Sequence, residues 1–262
     1  MNRSTLISAC LGLVFFSSLS TAQESQSGGL MKRLSPEATI LKKLKQARPD
    51  LNFDQPRPSQ FPGLYQVQIP GGPVFYITPE GDKFIIGDPY TVAESGFAKL
   101  EDPQIIADRK KALTTLDPKK SINFKPKTKT KAVVYVFTDA DCGYCRKLHS
   151  QMYTHSEGGV QKPGYNDLGI EIRYLAFPRS GIPSPSADKL VSAWCAKDKQ
   201  VALTKVKNGE SIPNASCDNP VSADFELGVS LGVNATPALL LPDGKLEMGY
   251  IPPEDMAKLL KI

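Results

Sequence analysis

Residues 132–152 read AVVYVFTDADCGYCRKLHSQM, a continuous apolar run followed by the dithiol motif Cys142-Gly143-Tyr144-Cys145 and a helix-compatible segment. The apolar run predicts a buried strand, and the motif then lies where the chain turns into a helix. Two cysteines at this spacing share one face of the first helical turn, where the helix dipole and free backbone N–H groups favour a thiolate. The stretch therefore predicts a redox-active dithiol, although CxxC pairs also occur in zinc sites and structural disulfides.

The two cysteines of the motif are predicted to have different roles. Cys142 begins the helix and is the exposed candidate nucleophile, and Arg146 adds positive charge that favours its thiolate. Cys145 lies one turn deeper and is the candidate resolving thiol. A four-cysteine zinc site would need Cys195 and Cys217 to converge there, and these lack a second short spacing, so no metal is predicted.

Residues 1–22 have the pattern of a secretory signal peptide. Arg3 supplies a positive start, residues 6–19 an apolar stretch, and Ser20-Thr21-Ala22 a small-residue cleavage site. A lipoprotein signal ending at Cys10 is disfavoured because almost no apolar region precedes it. No other stretch approaches the ~20 apolar residues that a membrane span needs. The sequence therefore predicts an exported protein that is cleaved near Ala22.

The cysteine count and the charge set further bounds. Cleavage of the leader removes Cys10 and leaves four cysteines, an even number that fits two disulfides in an oxidising compartment. The 32 basic and 27 acidic residues are interspersed, and the formal net charge of +5 is modest for 262 residues. Nothing in this pattern indicates a nucleic-acid partner.

Residues 23–91 predict a small α+β domain. Ser35 caps a helix that begins at Pro36 and carries an apolar face with Leu41 and Leu44. Three short strands follow, separated by Pro- and Gly-rich turns, at residues 64–69, 74–78 and 83–86. Because a three-stranded antiparallel sheet with one helix buries little, its open edge strands are predicted to pair with a second copy of the chain.

Residues 92–131 are predicted to connect this domain to the next. Residues 92–117 follow helical spacing and predict a helical linker, with Asp102-Pro103 as a fresh helix start. Residues 119–131 hold six lysines and no acid. A solvated connection is favoured over a polyanion contact for this run, because charge runs usually form solvated surface.

Residues 132–262 predict a thioredoxin-like α/β domain with a helical insertion. The predicted order is strand, helix, strand, two helical segments, a β-hairpin and a closing helix. After the dithiol helix, these elements are placed at residues 170–177, 186–207, 221–231, 238–241 with 246–250, and 253–260. Trp194 is predicted to fill the core of the insertion rather than to contact substrate.

Other residues near the dithiol are open to more than one interpretation. Thr236-Pro237 precedes an apolar strand, where proline cannot donate to a sheet ladder, so a special loop is predicted whose peptide bond the sequence leaves cis or trans. Asp139 and Asp141 could tune the thiols, and Asp141 could equally cap the helix. His149 and His155 are not predicted to be catalytic, since a nucleophilic cysteine at a helix N-terminus needs no base.

Six stretches of the chain carry a family resemblance. They are residues 75–78 (FYIT), 137–145 (FTDADCGYC), 173–179 (RYLAFPR), 194–199 (WCAKDK), 215–218 (ASCD) and 231–238 (LGVNATPA). With these stretches the chain resembles the DsbC family of periplasmic protein disulfide isomerases along nearly the whole mature sequence. It departs from the family in a longer loop over residues 154–164, in Arg146 where histidine is usual, and in Ala235 where glycine is common.

The resemblance implies roles for the residues of the motif and of the proline loop. Cys142 and Cys145 would be the active pair, with Gly143 and Tyr144 between them. Thr236-Pro237 would be the cis-proline loop that faces the pair and presents its backbone to a bound substrate.

The resemblance also implies the structural parts. Cys195 and Cys217 would form the family's structural disulfide. The N-terminal domain would be a dimerisation domain, which in the family builds a V-shaped dimer with an uncharged cleft for unfolded chains.

The residues and the resemblance together predict a homodimeric thiol:disulfide isomerase in the periplasm, with chaperone-like binding of unfolded or misoxidised exported proteins. No cofactor is predicted beyond the Cys142–Cys145 dithiol, which a DsbD-like membrane reductase would keep reduced. The alternatives are a DsbG-like reductase that protects single cysteines and a dimeric holdase with minor redox activity. Gly143 disfavours the former, because DsbG-like chains usually carry proline there.

Overall fold

A computed structural model describes residues 34–70, 72, 74–93 and 96–262. The helices are α1 (Pro36–Ala47), α2 (Pro103–Thr115), α3 (Gly143–Ser150), α4 (Pro185–Trp194), α5 (Lys199–Lys207), α6 (Val221–Ser230) and α7 (Pro253–Leu259). The strands are β1 (Arg57–Pro58), β2 (Tyr65–Gln68), β3 (Val74–Ile77), β4 (Phe84–Ile86), β5 (Tyr90–Ala93), β6 (Gly96–Lys99), β7 (Ile122–Phe124), β8 (Ala132–Thr138), β9 (His155–Glu157), β10 (Val160–Lys162), β11 (Ile170–Ala176), β12 (Ala238–Leu240) and β13 (Leu246–Met248). The predicted signal peptide lies outside the described residues, and no helix within them is long and apolar enough to cross a membrane.

The N-terminal sheet confirms the predicted meander and adds one strand to it. β1, β2, β3 and β4 pair antiparallel in chain order. α1 begins at the predicted cap, where the Ser35 hydroxyl accepts a hydrogen bond from the Ala38 N–H at 3.3 Å. The helix covers the sheet through Ile40 and Leu44, which are buried in one cluster with Val67. Burial of this helix face holds the small domain together.

A hairpin takes the place of the first part of the predicted linker helix. β5 and β6 pair antiparallel with Val92 opposite Phe97, and α2 begins only after its cap Asp102. The prediction of helix is therefore wrong for residues 92–93 and 96–99. Short apolar runs fit both the helical and the strand period, and here the β-branched and aromatic side chains favour the strand.

A five-stranded sheet forms the second part of the chain and confirms the thioredoxin-like fold. Its strand order is β13-β12-β8-β11-β7. β8 and β11 run parallel, and the other neighbours are antiparallel. The predicted apolar strand is the central β8, in which Val134, Val136 and Phe137 are fully buried. The dithiol motif therefore leaves the sheet at the buried end of its central strand.

Two segments that the sequence predicts as connections form strands. β7 lies within the lysine-rich run and pairs with β11, so that Ile122 and Phe124 are buried while the lysines of the run are exposed. β9 and β10 form a hairpin within the extended loop after α3. The sheet thus begins before residue 132, because two alternating apolar side chains in a polar segment suffice for an edge strand.

The helical insertion is closed by a disulfide between Cys195 and Cys217, whose sulfurs are bonded at 2.07 Å across a sequence separation of 22. A loop of this length stabilises the folded state by about 3 kcal/mol in the chain-entropy picture. Trp194 is buried beside the disulfide, and its Nε1–H donates to the Lys120 carbonyl at 3.0 Å. The indole therefore fills the core, as its position on an apolar helix face indicates.

Asp224 on α6 is a buried carboxyl whose Oδ2 atom accepts a hydrogen bond from the Ala176 N–H at 3.0 Å. Burial raises the pKa of Asp224 to about 7, although the Ala176 hydrogen bond and the charge of Lys120 act to lower it. The folded protein then keeps a proton that the unfolded chain releases near its ordinary pKa of 3.8. The free energy of unfolding is therefore expected to fall by up to about 4 kcal/mol as the pH rises from about 4 to about 7, and to change little above that.

Asp224→Asn keeps an acceptor for Ala176 and removes the titration. Urea unfolding of this variant between pH 4 and 8 is expected to give a flatter stability profile and higher stability than the wild type at pH 8. Asp188→Asn, at an exposed position, is the matched control and should reproduce the wild-type profile. Parallel profiles for Asp224→Asn and the wild type would contradict this account of the buried carboxyl.

Candidate active site

The dithiol lies at the N-terminus of α3, as the sequence predicts. Cys142 is the N-cap residue, and its sulfur accepts a hydrogen bond from the Cys145 N–H at 3.2 Å. The sulfur thus takes the position of a capping oxygen, where free N–H groups and the helix dipole stabilise negative charge. Both cysteines are free thiols in this structure.

The Thr236-Pro237 loop faces the dithiol, and its peptide bond is cis. The Cys142 sulfur lies 3.2 Å from the Thr236 carbonyl oxygen, to which the protonated thiol donates. This loop leaves Cys142 only 3% exposed, so the prediction of an exposed nucleophile is wrong in the free protein. Local sequence could not reveal this cover, because the loop is 94 residues away along the chain.

The two residues between the cysteines form the open side of the site. Tyr144 is exposed, and a Cβ placed on Gly143 would meet no atom within 4 Å. The surface over the motif is thus free to accept another chain.

The surroundings of Cys142 lower its pKa from the ordinary 9.0 to about 5. The largest cause is a hydrogen bond from the Cys145 thiol, which outweighs the effect of burial. The Thr236 hydroxyl, the Cys145 N–H and the positive charge of Arg179 lower the pKa further. Cys142 is therefore a thiolate at neutral pH.

Cys145 is shifted in the opposite direction. Burial and its hydrogen bond to Cys142 raise the pKa of this thiol far above its ordinary value, while the charge of Lys207 and the Asp139 backbone act to lower it. The pair thus consists of one reactive thiolate and one protonated, buried thiol.

Alkylation of the reduced protein measures the Cys142 shift directly. The rate of iodoacetamide labelling is expected to rise with pH through a midpoint near 5 and to stay constant above about pH 6.5, since only the thiolate reacts. Cys145 should remain unlabelled under the same conditions because it is buried and protonated. A labelling midpoint near the ordinary cysteine pKa of 9.0 would contradict this description of the site.

The charged residues near the motif differ in role from the prediction. Arg179, rather than Arg146, supplies the positive charge that acts on Cys142. Arg146 instead lies 3.6 Å from Asp141, which also pairs with Lys189 at 2.7 Å. Asp141 therefore neither caps α3 nor contacts a thiol. Sequence proximity suggested Arg146, whereas the loop after β11 brings Arg179 to the site.

Asp139 joins the loops on either side of the dithiol. Its carboxylate is buried and accepts hydrogen bonds from the N–H groups of Asp141 and Arg179, each at 2.6 Å. This carboxylate fixes the loop that carries Cys142 to the loop that carries Arg179. Asp139 therefore holds these two loops in place around the dithiol.

His149 is buried and fully hydrogen-bonded, with Nδ1 3.1 Å from the Tyr174 hydroxyl and Nε2 3.0 Å from the Thr204 hydroxyl. Burial and the charge of Lys207 lower its pKa to about 3, so it is neutral at physiological pH. His155 lies in β9, away from the motif. Within the described part of the chain, no cluster of His, Cys, Asp or Glu could hold a metal ion.

Two family models match the chain, and several curated relatives align with most of it. The "Disulfide bond isomerase protein N-terminal domain" matches residues 31–100, and the "Thioredoxin-like domain" matches residues 119–262. The DsbC thiol:disulfide interchange protein of Escherichia coli strain K12 is 38% identical over 204 residues, which cover 78% of this chain and 79% of that one. DsbC of Salmonella typhimurium is 37% identical over 187 residues, 71% and 72% of the two chains, and DsbC of Pasteurella multocida is 33% identical over 183 residues, 70% and 74%.

A thioredoxin-like sheet with two thiols of opposite character at a helix N-terminus defines a thiol:disulfide oxidoreductase. The alignments then specify which one, since they span both parts of the chain. The chain belongs to the DsbC family of thiol:disulfide interchange proteins, and its enzymatic activity is thiol:disulfide isomerisation.

Proposed function

We propose that Cys142 attacks non-native disulfides and that Cys145 resolves the resulting mixed disulfide. The observation that carries this assignment is the opposite shift of the two thiols, with the Cys142 pKa lowered to about 5 and the Cys145 pKa raised. A thiolate is the attacking species in disulfide exchange, and a thiol of low pKa is also the better leaving group. Both properties suit Cys142.

The attack forms a bond between the Cys142 sulfur and one substrate sulfur, while the second substrate sulfur leaves as a thiolate. A different substrate thiolate can then attack the mixed disulfide, which releases Cys142 as a thiolate and completes an isomerisation with no net change in redox state. Alternatively, Cys145 loses its proton to solvent and attacks Cys142, which releases a reduced substrate and an oxidised enzyme. The second route needs external electrons to restore the dithiol.

Substrate is proposed to bind across Gly143, Tyr144 and the Thr236-Pro237 loop. The Thr236 carbonyl accepts a hydrogen bond from Cys142 only while that thiol is protonated, so it is available to a substrate when Cys142 is a thiolate or is bound in a mixed disulfide. The Thr236 hydroxyl is buried and, apart from its effect on the Cys142 sulfur, has no hydrogen-bond partner among the described residues. A substrate backbone at this position would lie between the Thr236-Pro237 loop and the exposed ring of Tyr144.

The remaining parts are proposed to support this site. The Cys195–Cys217 disulfide keeps the helical insertion folded and takes no part in exchange. The chain is organised as an N-terminal domain, a connection through α2 and a catalytic thioredoxin-like domain, with β7 belonging to the last of these.

A homodimer through the N-terminal domain is supported by exposed apolar surface. All three residues of the edge strand β4 (Phe84, Ile85 and Ile86) are exposed, as are Val92 and Phe97 on the neighbouring hairpin. Unpaired strand edges and exposed apolar side chains favour association with another chain. Such a dimer would carry two dithiols, one on each copy, that can act on a bound unfolded chain.

The compartment and the electron supply are also proposed. We place the protein in the periplasm because it belongs to the DsbC family and because residues 1–22 have the pattern of a signal peptide. A DsbD-like membrane reductase would return Cys142 and Cys145 to the dithiol form, and no cofactor would be needed beyond these two sulfurs.

Two assays run in parallel test the preference for isomerisation. Residues 23–262, reduced and in a glutathione buffer, are expected to reactivate scrambled ribonuclease, and the same preparation is expected to reduce insulin with dithiothreitol as donor. Reduction of insulin without any reactivation of ribonuclease would instead support a DsbG-like reductase. Equal reactivation by the fully alkylated protein would support a holdase.

A further inference from the structure

Lys207 is a buried lysine beneath the dithiol loop, and no motif in the sequence marks it. It ends α5, in the helical insertion, and its side chain is only 3% exposed. Its Nζ atom donates to the Thr138 hydroxyl and to the Asp139 carbonyl, both at 2.7 Å. These acceptors terminate β8 and begin the loop to Cys142, so the ammonium group lies under the active-site segment.

The positive charge of Lys207 has no carboxylate partner in the described part of the chain. Among the described residues Lys207 forms no ion pair with a carboxylate, and both of its hydrogen bonds go to uncharged oxygens. Asp139 is a carboxylate whose charge acts on Lys207, but it accepts hydrogen bonds from the N–H groups of Asp141 and Arg179 and lies 3.5 Å from the Arg179 guanidinium. A buried ammonium without an anion is costly, so its retention here needs a reason.

The titratable groups around Lys207 indicate which anion its charge can stabilise. Burial and the charge of Arg146 lower its pKa, while Cys145, Asp139 and Cys142 act to raise it, with Cys145 the largest of these three. Its charge in turn lowers the pKa of Cys145 and that of His149, which stays neutral. Among Cys145, Asp139 and Cys142, the charge of Cys145 has the largest effect on the pKa of Lys207.

Lys207 would matter most when the mixed disulfide is resolved. In that intermediate Cys142 is covalently bound to substrate and carries no charge, and Cys145 must become a thiolate in a buried environment. We propose that Lys207 is a positioning residue for the resolving step, whose buried ammonium stabilises the Cys145 thiolate as it attacks the Cys142–substrate bond. In this step Cys145 gives its proton to solvent, the Cys142–Cys145 bond forms, and the substrate sulfur leaves as a thiolate. The inference rests on the proposed roles of the two cysteines.

Rapid mixing of the reduced protein with a disulfide-linked peptide separates the two steps. The first phase is attack by Cys142, and the second phase is release of the second peptide thiol by Cys145. Lys207→Met removes the charge at similar length, Lys207→Gln keeps hydrogen-bond donors without charge, and Lys207→Arg keeps the charge. For the Met and Gln variants the second phase is expected to slow about tenfold at pH 7, and its pH midpoint to rise by about one unit. The first phase should change by less than about threefold.

Lys207→Arg is expected to restore the second phase and its pH midpoint at least in part, which a purely structural role would not predict. A second phase in Lys207→Gln with the wild-type rate and midpoint would overturn the proposal. Failure of both uncharged variants to fold, judged by circular dichroism, would also overturn it, because Lys207 would then be structural. Absence of a Cys142-linked intermediate in the wild type would contradict the proposed function itself, whatever the Lys207 variants do.

Discussion

Cys142→Ala is expected to reduce the reactivation of scrambled ribonuclease by roughly 100-fold or more, to the rate of the buffer alone. The variant loses the only thiolate of the described site, since burial keeps Cys145 protonated. The fold should be unaffected, because the cavity is that of a single sulfur beside the Thr236-Pro237 loop. Reactivation of ribonuclease and binding of unfolded chains are measured on the same preparation.

Cys145→Ala is the matched control for this variant. It keeps the Cys142 thiolate and is expected to retain part of the isomerase activity, because a substrate thiol can still release the enzyme. It should lose insulin reduction, which requires Cys145. Reactivation by Cys142→Ala at the wild-type rate would contradict the assignment of the nucleophile and would favour a holdase.

Val92→Asp combined with Phe97→Asp is expected to convert a dimer to a monomer. The two side chains lie opposite each other in the hairpin and are 82% and 81% exposed in the single chain, so they contribute little to its own core. Placing two carboxylates in an apolar interface should raise the dissociation constant by several orders of magnitude, since each unpaired buried charge costs several kcal/mol.

Light scattering after gel filtration measures the mass of the particle, and a single chain of 262 residues has a mass of 28.5 kDa. Val160→Asp is the control, because Val160 is also an exposed apolar residue but lies in the β9–β10 hairpin of the thioredoxin-like part. It should leave the dimer intact. A wild-type chain that elutes as a monomer, or a double variant that remains a dimer at low micromolar concentration, would contradict the proposed interface.

The central strand and the dithiol helix could be predicted from sequence because their signals are local. A long apolar run specifies β8, and the CxxC spacing specifies how two thiols share a helical turn. The face of α1 was predicted less well, since Leu41 is only half-buried and Ile40 is fully buried instead. With apolar residues at adjacent positions, the helical period alone does not choose between them.

The electrostatics of the site could not be predicted in the same way. Arg179 and Lys207 reach the dithiol from segments 37 and 65 residues beyond Cys142, and nothing in their local sequence indicates that their charges act on the two thiols. The cover of Cys142 by Thr236 likewise depends on how the sheet brings β12 next to β8. The charges near the dithiol and the exposure of Cys142 therefore depend on how the fold brings distant segments together. The identity of the reacting sulfurs, by contrast, can be read from the CxxC motif.

Trapping the mixed disulfide on Cys145→Ala tests the central claim most directly. After incubation with scrambled ribonuclease and acid quenching, mass spectrometry of the non-reduced digest is expected to find substrate peptides linked to Cys142, with Cys195 and Cys217 still linked to each other. The same experiment with Cys142→Ala should give no adduct. Adducts on Cys195 or Cys217, or none on Cys142, would contradict the account.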